Sequence, residues 1–145
     1  LALACDLRLA SSRSRFASTP AKLGLVYSAD DSRRLVNTVG MARAREMLLT
    51  GRLLEAATAL DWGLVNRVVP QAELMGEVDA LAAKLAAGPT RAFGGVKKLM
   101  SAAMTDSLVS QMERESRQIA ELSRTPDGLE GVRAFVEKRR PDFMG

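Results

Sequence analysis

Phe16-Ala-Ser-Thr-Pro20-Ala-Lys-Leu-Gly24-Leu-Val-Tyr27-Ser28-Ala-Asp30-Asp31-Ser-Arg-Arg-Leu35 is the stretch on which the reading of this chain turns. It is the segment where polar chemistry interrupts an otherwise well-patterned helical sequence. Pro20 disfavours helix before it and fixes its own φ. Gly24 permits a tight backbone turn, and Tyr27 to Asp31 then reads as a polar loop. An apolar period resumes over 32–39 and predicts a helix, with Asp30 or Asp31 as its N-cap because a short carboxylate accepts from the orphan N–H groups of a first turn. One bend thus gathers carboxylates, a hydroxyl and a positive helix end.

Upstream of the bend, Leu7-Arg8-Leu9-Ala10 alternates as a half-buried strand does, and Arg15-Phe16-Ala17 predicts a second short strand across the polar turn 11–14. The apolar run Leu1 to Ala4, without a cap or polar lead-in, reads as the inside of a helix, so a fragment of a longer protein is expected. The next strand expected is Val65 to Val69, stopped by Pro70. The sheet for the first two strands is therefore expected from preceding sequence or from another chain.

Downstream the pattern is helical. Short helices are predicted to end at Gly40, Gly51 and Gly63, glycine being the usual residue past a helix C-terminus. Leu74, Val78, Leu81 and Leu85 share one stripe of a helix over about 71–87. Pro89 leads a segment with Phe93, Val96, Leu99 and Met100 on one face, and Thr105 or Asp106 is expected to cap the next. Thr125-Pro126 follows the N-cap and N1 rule for a final helix. A boundary is placed near Pro70, dividing the chain into 1–70, which completes an α/β core, and a helical part 71–145.

The 145 residues, 47% hydrophobic and 26% charged, suit a globular domain with a real core. No apolar run reaches the ~18 residues of a membrane span, and no signal-like segment is present, so a cytoplasmic location with no membrane partner is expected. Cys5 stands alone in an apolar run and is expected to be small and buried. There is no histidine, which removes the commonest general base, the commonest transition-metal ligand and every Ser/His or Cys/His dyad. No metal is expected, and acid–base work falls to carboxylates, lysine, Tyr27 or water. The net charge of +4 favours anionic partners, among them nucleic acid and nucleotide-bearing thioesters. An aromatic content of 4%, with no stacking residues between the basic ones, argues against nucleic acid.

The run Leu1-Ala-Leu-Ala-Cys-Asp-Leu-Arg-Leu-Ala-Ser11, Phe16, Lys22-Leu23-Gly24-Leu25 and Arg34-Leu35 resembles the enoyl-CoA hydratase/isomerase (crotonase) family. Leu49-Thr50-Gly51-Arg52, Trp62-Gly63-Leu64-Val65-Asn66-Arg67-Val68-Val69-Pro70 and Ala134-Phe135-Val136-Glu137-Lys138-Arg139-Arg140-Pro141-Asp142-Phe143 continue the resemblance in family order to the end of the chain. It implies the later part of an α/β crotonase-like (ClpP/crotonase) core, mostly helical with a few short strands. A C-terminal helical module that builds a homotrimer or dimer of trimers and helps close the active site would follow. The implied function is fatty acid metabolism: proton transfer on an enoyl-CoA thioester whose carbonyl sits in an oxyanion hole of two backbone N–H groups. Coenzyme A enters as part of the substrate and no separate cofactor is implied.

The resemblance also assigns residues. One oxyanion donor and the first catalytic Glu of the hydratases correspond to sequence before Leu1. The second hydratase Glu falls on Pro20, which has no proton to give, and Ser28 falls where hydratases carry Gly and some isomerases an acid. Asp30 and Asp31 are then the nearest carboxylates for a proton shuttle, set against the alternative that they cap the following helix and pair with Arg33 or Arg34. Pro20, Leu25, Tyr27 and Ser28 are the implied substrate pocket, and Phe135 and Lys138 the implied coenzyme A contacts, commonly to the molecule bound by a neighbouring subunit. A non-catalytic acyl-CoA-binding or oligomer-building homologue is the alternative that Pro20 raises.

Overall fold

The computed structural model describes residues 2–145 and divides into two compact units, the first ending at Val78. In the first, a 3-10 turn (Ala2–Ala4) precedes β1 (Leu9–Ser11) and β2 (Arg15–Phe16), and a second 3-10 turn (Pro20–Leu23) leads to α1 (Ala29–Val39) and α2 (Met41–Thr50). Then come β3 (Leu54–Glu55), α3 (Ala56–Asp61), β4 (Arg67–Val69) and a turn (Gln71–Glu73) into α4 (Leu74–Ala86), within which the division falls. The second unit holds α5 (Thr90–Ala103), α6 (Leu108–Leu122) and α7 (Pro126–Glu137).

Both early strands find partners inside the chain. β1 pairs in parallel with β4, Leu9 opposite Arg67 and Ser11 opposite Val69. Asn66 extends the ladder: its side-chain Oδ1 accepts from the Arg8 N–H at 2.8 Å, and its own N–H donates to the Arg8 carbonyl at 2.8 Å. β2 pairs antiparallel with β3, a strand the pattern does not announce because two residues cannot show alternation. The expectation that the sheet had to come from elsewhere is corrected to that extent.

Between β1 and β4 the chain crosses over through helices, as a parallel pair requires. The core lies here, with Ala10, Leu35, Val39, Ala44, Met47, Leu54, Ala59, Leu64 and Val65 all buried. Leu35 and Leu54 are its largest fully enclosed side chains, and each contributes about 1.5–3 kcal/mol by leaving water. The glycines predicted to stop helices do so. Gly40 at φ 80° and Gly51 at φ 57° hold left-handed backbone that a side chain disfavours. Trp62 follows α3 with the guanidinium groups of Arg43 and Arg52 5.4 and 5.5 Å from its ring centroid, which ties α2 and the loop after it to the end of α3.

Two expected caps move. Helix α1 begins at Ala29 with Ser28 as N-cap, while Asp30 and Asp31 lie inside its first turn. Helix α6 is capped by Ser107, whose hydroxyl accepts from Ser110 N–H at 3.2 Å. Asp106 is instead engaged by Arg114 at 2.8 Å. Cys5, expected in the core, is exposed, because its run forms a single 3-10 turn rather than a helix with a buried face.

In the second unit α5 and α6 pack closely at Gly95, where an added Cβ would stand 2.8 Å from Leu122 Cδ1. Gln111 Nε2 donates across to the Leu99 carbonyl at 3.1 Å. Thr125 caps α7 as its Thr-Pro sequence predicts, accepting from Gly128 N–H at 3.1 Å. The chain then folds back along α7: Glu130 accepts from Arg139 and from the Asp142 N–H, and the buried Asp127 accepts from the N–H groups of Met144 and Gly145 at 2.8 and 3.1 Å.

Candidate active site

The bend singled out by sequence faces a cavity of about 280 Å³ in the first unit. One wall comes from the opening 3-10 turn, through Ala2 and Leu3, and another from the strand-to-bend segment Arg15, Phe16, Ala17 and Ser18. Tyr27 of the bend and Asp31 of α1 complete the polar side, and Arg8, Leu35, Met47 and Leu64 line it as well. This geometry follows from local sequence. Pro20 starts the 3-10 turn, Gly24 ends it in the left-handed region at φ 67°, and the chain reverses so that Tyr27 arrives just before the Ser28 cap.

Among the residues assigned from sequence, Tyr27 and Asp31 line the cavity, whereas Pro20, Leu25, Ser28 and Asp30 do not. Leu25 is exposed. The Ser28 hydroxyl accepts from the Asp31 N–H at 3.1 Å and donates to the Asp31 carboxylate at 2.8 Å, so cap and carboxylate hold each other. Both bonds run through the serine hydroxyl, so only one of the orphan first-turn N–H groups is satisfied by the pair. Asp30 is tied to Arg34 at 2.8 Å and Arg33 at 3.0 Å. The hydrogen bonds from Arg34 and then Arg33 hold its carboxyl below the usual carboxylate range, which disfavours it as a base. The hydroxyl of Tyr27 has no hydrogen-bond partner among the described residues.

Sequence reasoning passed over two cavity residues. Ser18 is buried, and its hydroxyl oxygen is shielded and without a partner. Arg8 donates from Nε to the Leu64 carbonyl at 2.6 Å and from Nη1 to the Cys5 carbonyl at 2.7 Å. Nothing in periodicity marks Ser18, while the strand alternation that found β1 treated Arg8 as its solvent face. In the second unit, Phe135 is 85% exposed on the last turn of α7 and Lys138 follows as its left-handed C-cap at φ 54°. No cluster of residues suited to hold a metal ion occurs among the described residues. None of the described helices is long and apolar enough to cross a membrane.

Comparison with known proteins gives this geometry a context. The family model for enoyl-CoA hydratase/isomerase matches residues 1–145. A Rhodobacter capsulatus protein named "Probable enoyl-CoA hydratase" is 39% identical over 145 residues, covering all of this chain and 56% of its own length. The 1,2-epoxyphenylacetyl-CoA isomerase of Escherichia coli is 35% identical over 147 residues, 55% of its length. A crystal structure of an enoyl-CoA hydratase subunit from Geobacillus kaustophilus superposes with a TM-score of 0.92 at 38% identity, covering 99% of this chain and 56% of that one. The chain therefore spans about 56% of the length of the relatives it matches. With its full length covered by the family model and its fold shared at that level, the chain belongs to the enoyl-CoA hydratase/isomerase family, with a partial crotonase-like core.

Proposed function

We propose that this chain forms the acyl side of a site that moves a proton on an enoyl-CoA thioester, with Asp31 and Tyr27 as the groups that meet the acyl portion. The observation that carries this reading is the cavity shared by the opening turn, Ala2 and Leu3, and the polar bend, Tyr27 and Asp31. An acyl group in that space lies beside a carboxylate that can accept a proton and a phenol that can donate one. The thioester oxygen is held by backbone N–H groups in an oxyanion hole, which stabilises the enolate-like charge as it develops. Asp30 is instead occupied by Arg33 and Arg34 within α1 itself.

The same proposal extends to the second unit. Phe135 and Lys138 offer an apolar face and a cation to the adenine and phosphates of coenzyme A. Met112 and Ile119 on α6, and Leu129, Val132 and Val136 on α7, are exposed, which supports their use in a homotrimer. A role in fatty acid metabolism in the cytoplasm completes the reading, with residues 71–145 as the assembly module.

The test follows the conjugated thioester absorbance of the full-length protein with crotonyl-CoA and with a 3-enoyl-CoA. Turnover of one of them is expected, with Asp31→Asn lowering kcat by about 100-fold and Asp30→Asn changing it less than about twofold. Binding without turnover of either ester, or an unchanged kcat in both Asp31→Asn and Tyr27→Phe, would overturn the assignment.

A further inference from the structure

Ser18 sits in the cavity wall in a state that buried hydroxyls rarely occupy. It is 7% exposed and its oxygen has neither solvent nor a hydrogen-bond partner, whereas most buried polar side-chain atoms have one. Alanine would fill the same space without the cost of an unmet hydroxyl. Turning that oxygen toward the cavity takes a change of χ1 rotamer, an ordinary motion for a serine.

The rest of the lining says what kind of group it would meet. Leu3, Phe16, Leu35 and Met47 supply hydrocarbon contact. The local charges offset one another: Arg15 is paired with Glu55 at 3.2 Å, and the Arg8 cation shares the cavity with the Asp31 carboxylate. A neutral oxygen on a hydrocarbon chain suits this lining better than a second carboxylate does. Few polar groups in an apolar pocket fix orientation and specificity, and a site built to hydrogen-bond a substrate hydroxyl discriminates strongly against an analogue lacking it.

We propose that Ser18 is a specificity-determining residue that hydrogen-bonds an uncharged oxygen carried by the acyl group beyond its β-carbon, so that the preferred substrates are hydroxy- or oxo-substituted acyl-CoA esters. This rests on the reading of the cavity as the acyl site. Because Tyr27 and Asp31 serve the reacting carbons in that reading, the oxygen met by Ser18 belongs further along the chain.

The test measures calorimetric binding of butanoyl-, pentanoyl-, 4-hydroxybutanoyl-, 5-hydroxypentanoyl- and succinyl-CoA to the full-length protein and to its Ser18→Ala and Ser18→Thr variants. One hydroxyacyl ester is expected to bind more tightly than its unsubstituted partner. Ser18→Ala should weaken that ester about three- to tenfold, the worth of one hydrogen bond, and the unsubstituted ester less than about twofold, with Ser18→Thr restoring part of the loss. The melting temperature of unliganded Ser18→Ala should stay level or rise, since an unpartnered hydroxyl is removed. Equal weakening of all esters, a lowered melting temperature, or tightest binding of succinyl-CoA would overturn the role of Ser18 while leaving the acyl site standing. Failure of every ester to bind would overturn both.

Discussion

Replacing Ser28 with alanine removes the cap of α1 and the donor to the Asp31 carboxylate in one step. The lost cap costs about 1 kcal/mol, within a range of roughly 0.5–2. Ser28 is exposed, so water takes over the second hydrogen bond and adds only about a few tenths. With a urea slope of about 2 kcal/mol per molar, the midpoint of unfolding should fall by about 0.5 M. Amide exchange over residues 31–39 should quicken, because the first-turn N–H groups have lost their acceptor. Ser28→Thr should restore both effects, since its hydroxyl accepts and donates alike. Ser28→Asp should recover the cap yet not the grip on Asp31, because an ionised carboxylate cannot donate. The reasoning is refuted if Ser28→Ala shifts the midpoint by less than about 0.2 M, or if the Asp variant protects α1 no better than alanine does.

Two further outcomes follow from a buried leucine and from an ion pair. Leu54 is fully buried at the β2–β3 pair, so Leu54→Ala should cost about 2–5 kcal/mol, read as a lowered melting temperature; a loss under about 1 kcal/mol would show that the core does not depend on β3. Glu130 is drawn from its ordinary 4.5 down to about 2 by the hydrogen bond from Arg139 and then by the Asp142 N–H. Its folded value lies below the unfolded one, so its contribution is fully present above pH 4.5 and is lost as pH falls toward 2. A carboxyl carbon resonance titrating near 4.5 would contradict the ion pair.

Much of the fold was legible because its punctuation is chemical. Gly24, Gly40 and Gly51 adopt positive φ, and Thr125-Pro126 opens α7, each for a reason local to a few residues. What escaped depends on pairing or on choice between neighbours. β3 exists only because β2 lies beside it. Ser28 wins the cap over Asp30 because Asp30 has two arginines within reach on its own helix, and Ser107 wins over Asp106 because Arg114 engages the aspartate. In the site, Tyr27 and Asp31 stand in the cavity while Asp30, one residue away, does not: successive residues are about 100° apart around a helix, and sequence does not say which way the helix is turned. Ser18 could not be found, since an unmet hydroxyl is a fact about its surroundings.

The parallel ladder between β1 and β4 has a consequence for how quickly the chain reaches its native form. Joining Arg8 to Asn66 spans 58 positions, and closing a loop of that length costs roughly 3–4 kcal/mol of chain entropy before any rung is made. Contacts such as Gln111 with Leu99, only 12 positions apart, cost about 1.4 kcal/mol less to close. Refolding should therefore proceed in two phases, the helices after Val78 gathering first and the ladder closing last.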